Sequence, residues 1–188
     1  MPVRDVQIAT EPKAALSSVP GREGFELILM RHGLAEEAAA AGEDARRALT
    51  PEGRKRVRQI ARGLQRLGVD LDRIVTSPLV RAAETAEIVR EAFSPAPPVE
   101  RSDALVPGAT PSQFIEFLSR KEGARRVLAV GHEPDLSVIA AHLIGAGPRA
   151  HLAFKKGGCC LIVFEETLRH LPGKLHWWLP PRVLRRVR

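Results

Sequence analysis

The sequence predicts an α/β fold: a three-layer α/β/α sandwich around a mostly parallel, mixed sheet. Three observations predict it. Short apolar runs of strand length alternate with longer segments of helical period. The helical segments carry start and stop signals, with Thr50-Pro51 and Thr110-Pro111 at their beginnings and Gly68, Gly123 and Gly145 at their ends. The chain has 188 residues, 44% of them hydrophobic, enough for one domain with a proper core.

The elements follow in order. Residues 1–22 hold three prolines and no clear period, and read as a flexible N-terminal extension without the apolar segment of a secretory signal. Residues 23–180 read as the folded domain, and 181–188 as a basic C-terminal tail. Strands are predicted at Phe25–Met30, Asp72–Thr76, Arg126–Val130, Cys159–Glu165 and Lys174–Leu179, with a weaker one at Pro98–Arg101. Helices are predicted at Pro51–Leu67, Leu79–Ala92, Pro111–Lys121 and Pro134–Ile144, the last with Glu133 as its cap. No helix of size separates the last two strands, so the sheet is expected to end on an antiparallel strand. Cys159 and Cys160 are neighbours on a strand and point to opposite faces, which makes them poor disulfide partners and good small fillers.

Composition narrows the function classes. No apolar run approaches the roughly 18–20 residues that cross a bilayer, so no membrane partner is expected. No CxxC or similar ligand spacing appears, so no structural zinc site is expected, and with arginines to balance a phosphate charge no metal or other cofactor is expected. A cytoplasmic location fits these features. The formal charge is +7. It concentrates in Arg54, Arg58, Arg62 and Arg66 and in Arg182, Arg185, Arg186 and Arg188. The first group is the outward face of an amphipathic helix that turns Val57, Ile60, Ala61, Leu64 and Leu67 inward. With no aromatic-interleaved basic motif, a nucleic-acid role is disfavoured.

Four residues carry the chemistry: Arg31, His32, Arg81 and His132. Arg31 and His32, followed by Gly33, close the first strand. Arg81 opens the helix after the second. His132 follows Val127-Leu128-Ala129-Val130-Gly131. In a parallel sheet these positions share one edge, the edge where α/β folds bind ligands. Arginines match phosphate geometry, helix N-termini add backbone donors, and a neutral imidazole attacks phosphorus. The pattern reads as a phosphoryl-transfer pocket in which a phosphohistidine forms and is hydrolysed.

In these residues the chain resembles the histidine phosphatase superfamily, also called phosphoglycerate-mutase-like. Its RHG motif is Arg31-His32-Gly33. Its second arginine motif, S-P-x-x-R-A-x-x-T-A, is Ser77-Pro78-Leu79-Val80-Arg81-Ala82-Ala83-Glu84-Thr85-Ala86, and its V-G-H is Val130-Gly131-His132. Within the superfamily it looks most like the SixA-type phosphohistidine phosphatases, whose D-x-x-R-x-L-T-x-x-G is met by Asp44, Arg47, Leu49, Thr50 and Gly53. The resemblance implies His32 as nucleophile, with Arg31, Arg81, His132 and Gly33 binding the phosphoryl group. About fifty residues separate Arg81 from His132, too few for the cap insertion of larger relatives, so an open pocket is expected. An open pocket suits a phosphohistidine-bearing protein better than a small sugar phosphate. Asp103 is the candidate general acid, with Glu36 and Glu133 behind it. Leu34 replaces the charged residue that often follows this motif. Two other functions remain open from sequence: a broad-specificity small-molecule phosphomonoesterase, and a phosphate-binding interaction module without turnover.

Overall fold

The computed structural model of the chain describes residues 24–37, 44–121, 123–147 and 150–187. The extension read at 1–22 lies outside them. The apolar runs form six strands: β1 (Phe25–Arg31), β2 (Arg73–Thr76), β3 (Val99–Arg101), β4 (Arg126–Gly131), β5 (Cys159–Phe164) and β6 (Lys174–Leu179). They make one sheet in the order β3-β2-β4-β1-β5-β6. The first four strands run parallel, and β5 is antiparallel to both its neighbours. The expected inversion is therefore present, but at β5. The β5–β6 hairpin turns the edge strand back to the direction of β1.

Among the described residues, five α-helices accompany the sheet: α1 (Pro51–Arg66), α2 (Val80–Arg90), α3 (Pro111–Ser119), α4 (Asp135–Leu143) and α5 (Pro181–Leu184). Strand periodicity splits the core in two. Ile28, Met30, Ile74, Leu128, Val130, Cys159 and Leu161 face α1, α2 and α5. Leu27, Leu29, Val75, Val127, Ala129, Cys160 and Ile162 face α3 and α4. The adjacent cysteines thus sit in different layers, each fully buried.

Local chemistry sets the helix ends. The Thr50 hydroxyl accepts from the Gly53 amide at 2.9 Å, and Pro51 occupies the first turn. Thr110 and Gln113 form a reciprocal capping box for α3. Gly68 and Gly145, just past α1 and α4, adopt φ of +76° and +67°, which a Cβ would strain. The start of α4 differs from expectation. It begins at Asp135, because the Glu133 carboxylate is not a cap. That carboxylate accepts instead from Ser137 Oγ at 2.7 Å and from the Phe154 amide.

The segment 181–188 also differs from a tail as far as Val187. Pro181 starts α5 and fully buried Leu184 anchors it in the α1 layer. The Leu184 carbonyl lies where a Cβ on Gly63 would be, so glycine there lets α5 lie against α1. Arg66 Nη1 donates to the Val187 carbonyl at 2.8 Å. One apolar side chain and one close backbone approach outweigh the run of arginines around them.

Between Arg81 and His132 the described chain is used by the rest of α2, β3, a 3-10 turn (Asp103–Leu105), α3 and β4. Among the described residues no inserted unit stands over the sheet edge.

Candidate active site

Chain direction places the site. From β1 the chain crosses one face through α1 to β2. From β4 it crosses the other face through α4 to β5. β1 and β4 are neighbours, so the crevice between their C-terminal ends is a topological switch point. Arg31 pairs with Gly131 in register, and the next residue on each strand is a histidine. The His32 amide donates to the Gly131 carbonyl at 3.1 Å. The two imidazoles face each other with centroids 5.1 Å apart. Arg81 enters from the first turn of α2, and its Nε lies 3.3 Å from His32 Nε2. Arg31 is next to His32 on β1. The structure therefore brings together all four predicted residues.

The hydrogen bonds fix the state of His32. Its Nδ1 lies 2.7 Å from the Gly33 carbonyl, which can only accept. Nδ1 therefore carries the proton, and Nε2 keeps its lone pair, toward which Arg81 Nε–H points. Burial pushes the His32 pKa down to about 3, against the Gly33 carbonyl, which favours the charged ring; His132, Arg81 and Arg31 push it further down. Burial and then Arg81 push His132 down to about 4, while Asp44 pulls it upward. A neutral imidazole held among fixed cations can attack an electrophilic phosphorus.

At the site, among the described residues, three buried nitrogens have no hydrogen-bond partner: Arg31 Nε and both nitrogens of His132. Buried polar groups of a folded protein normally find partners. Here they belong to the residue before His32 and to the ring whose centroid is 5.1 Å from that of His32, so the crevice suits a ligand with several acceptor oxygens.

Neighbouring residues hold this arrangement. Gly33 allows close packing, since a Cβ there would lie 2.6 Å from Val57 Cγ2. The Gly33 amide donates to Thr85 Oγ1 at 3.0 Å, and that hydroxyl donates to the Arg81 carbonyl at 2.7 Å. Thr85 thus ties the loop after β1 to α2, one turn beyond Arg81. Glu84 accepts from the Leu49 amide and from Arg54. Arg54 therefore serves the loop before α1 as well as the outer face of the helix. Arg31 Nη1 donates to the Phe154 carbonyl at 2.7 Å, and Glu133 holds the Phe154 amide. The Gly157 amide bonds the carbonyls of Arg31 and His32.

The candidate acids are placed as follows. Leu105 is buried and anchors the Asp103–Leu105 turn beside Gly131, which leaves Asp103 exposed. Among the described residues no hydrogen bond or ion pair joins its carboxylate to the four. Glu36 contributes its backbone carbonyl, which accepts from Arg47 Nε at 2.6 Å, and its side chain is exposed. Glu133 is committed to the Phe154 loop.

Sequence reasoning did not assign a site role to Asp44. Arg81 Nη2 donates to Asp44 Oδ2 at 2.9 Å and Nη1 to the Asp44 carbonyl at 2.6 Å, while Arg47 bonds Oδ1 at 2.7 Å. Burial, the largest single influence, raises the Asp44 pKa, but the bonds and charges of Arg81 and Arg47 together outweigh it and leave it lowered. A buried arginine calls for a carboxylate, but the burial of Arg81 shows only in the fold.

The pattern of the histidine phosphatase superfamily (branch 1) matches residues 27–106. The phosphohistidine phosphatase SixA of Escherichia coli (strain K12) is 30% identical over 165 residues, covering 84% of this chain and 94% of that protein. The chain belongs to the histidine phosphatase superfamily. An uncharacterized protein of Picosynechococcus sp. is 39% identical over 137 residues, 71% of this chain and 82% of that protein. A solved structure of the protein histidine phosphatase SixA complexed with tungstate superposes with a TM-score of 0.72 at 26% identity, covering 85% of this chain and 99% of that one. The chain is a SixA-like member of the histidine phosphatase superfamily and a phosphatase. No described helix is long and apolar enough to cross a membrane.

A stability profile follows from the buried imidazoles. In the unfolded chain both titrate near 6.5, and in the fold at about 3 and about 4. Between pH 6.5 and 4 the unfolded state binds more protons, so stability rises with pH and falls on acidification. Each histidine adds a slope of up to about 1.4 kcal/mol per pH unit. Urea denaturation from pH 7 to 4 should show this loss, and His132→Asn should flatten it. An equal slope in the variant would remove His132 from the account.

Proposed function

We propose that this phosphatase hydrolyses phosphohistidine on a protein through a covalent phospho-His32 intermediate. The observation that carries the reading is the Nε2 lone pair of His32, fixed by the Gly33 carbonyl, with Arg81 Nε 3.3 Å from it and the His132 ring centroid 5.1 Å from that of His32.

In the first step His32 Nε2 attacks phosphorus. A new N–P bond forms, the substrate's N–P bond breaks, and the leaving imidazole departs with the proton it already carries or takes from water. Arg31, Arg81 and His132 donate to the phosphoryl oxygens as charge shifts onto them. In the second step water attacks phosphorus, loses a proton to solvent, and returns the bonding pair to His32 Nε2. The product is orthophosphate.

Leaving-group chemistry supports an N–P substrate. An alkoxide needs a proton badly, whereas the imidazole of phosphohistidine is readily protonated in solution. The exposed Asp103, with no hydrogen bond or ion pair to the four residues among the described residues, fits a site that gives the leaving group little acid help. The absence of a covering insertion among the described residues fits a protein-borne substrate, and so does the likeness to the phosphohistidine phosphatase SixA. A cytoplasmic location accords with two free, buried thiols.

The test is hydrolysis of a phosphohistidine peptide beside an aryl phosphomonoester, with chelator present. A preference for the peptide of at least tenfold in kcat/KM is expected. Equal or better rates on the ester would keep the intermediate and make the protein a general phosphomonoesterase.

A further inference from the structure

Asp44 opens the 3-10 turn Asp44–Arg46 before α1. We propose that its carboxylate is a built-in occupant of the phosphoryl site, which the substrate's phosphoryl group displaces; the inference rests on the pocket being the phosphoryl site argued above.

Three observations carry it. First, Nε and Nη2 form one edge of the Arg81 guanidinium, a fork suited to two neighbouring acceptors. That edge spans His32 Nε2 at 3.3 Å and Asp44 Oδ2 at 2.9 Å. A carboxylate oxygen therefore sits beside the lone pair that attacks phosphorus, where a phosphoryl oxygen would bind. The carboxylate is also near enough to His132 to act on its charge state.

Second, the two partners differ in freedom. The Arg81 side chain is 6% exposed and the Asp44 side chain 54%. The guanidinium is fixed from below, and the carboxylate can swing into water. Its other oxygen already bonds Arg47 Nη1 at 2.7 Å, so Arg47 keeps hold of the carboxylate as it leaves.

Third, the backbone anchor is separate from the carboxylate. Arg81 Nη1 donates to the Asp44 carbonyl at 2.6 Å. The turn and the guanidinium stay aligned when the side chain moves. Asp44 is thus a positioning residue with two effects. It holds Arg81 in its binding pose when no substrate is present. It also competes with and repels any phosphate, and so hastens the departure of orthophosphate after each turnover.

The test is calorimetric titration of the full chain with inorganic phosphate, comparing wild type with Asp44→Asn and Asp44→Ala, each checked for fold by circular dichroism. Both variants are expected to bind orthophosphate at least tenfold more tightly. For a phosphohistidine peptide, KM should fall while kcat does not rise. Binding that is unchanged or weaker in both variants would overturn the proposal, because a merely structural partner of Arg81 weakens the site when lost. The titration needs no turnover, so it is independent of the hydrolysis assay. Tighter phosphate binding without peptide hydrolysis would keep the gate and discard the substrate.

Discussion

His32→Ala is expected to lose turnover on every phosphorylated substrate, by at least about 10⁴-fold, and to incorporate no phosphate into protein. The expectation rests on geometry as well as on residue type. Nε2 is the atom toward which Arg81 Nε–H points, and the His132 ring centroid lies 5.1 Å from that of His32. A covalent route splits one hard displacement into two easier ones, and His32 is the imidazole whose Nε2 lone pair is fixed by a hydrogen bond at Nδ1. A reduction of about 10⁴-fold corresponds to about 5.4 kcal/mol of transition-state stabilisation. The measurement is single-turnover hydrolysis with acid-quenched protein assayed for bound phosphate. Residual activity above a few per cent would mean that water attacks the substrate directly, with His32 only a ligand.

The second large effect belongs to Arg81. Arg81→Lys keeps the charge, yet kcat/KM should fall by about 10²–10³-fold. Lysine offers a point charge in place of a planar fork. It cannot at once orient His32 Nε2, hold the Asp44 carbonyl and bind a phosphoryl oxygen, tasks that Arg81 divides among Nε, Nη1 and Nη2. A buried ammonium also loses more hydration than a guanidinium. Steady-state kinetics on the phosphohistidine peptide would measure the loss. A variant within threefold of wild type would show that charge alone suffices.

Much of this arrangement was legible in the chain. The apolar runs before His32 and His132 located β1 and β4, and the parallel-sheet argument then required their ends to share an edge. Helix caps were readable where a side chain makes a local bond, as at Thr50 and Thr110. What escaped was nonlocal. Glu133 looked like a helix cap, because its bond to the Phe154 amide spans 21 positions that no short-range pattern registers. The docking of α5 depended on the space above Gly63, 121 residues before Leu184, and a run of arginines masked it. Asp44 sits 37 residues from Arg81, in a turn too short for any period. Its burial partner existed only once the fold had brought α2 against the loop before α1.

The two adjacent thiols have a use beyond packing. Cys159 lies in the layer shared with α1, α2 and α5, and Cys160 in the layer shared with α3 and α4. Burial raises both pKa values, so neither reacts with an alkylating agent until its own layer opens. Single-cysteine forms of the chain therefore carry a separate clock for each side of the sheet, one peptide bond apart. Comparing their labelling rates tells whether the two faces part from the sheet together or one before the other.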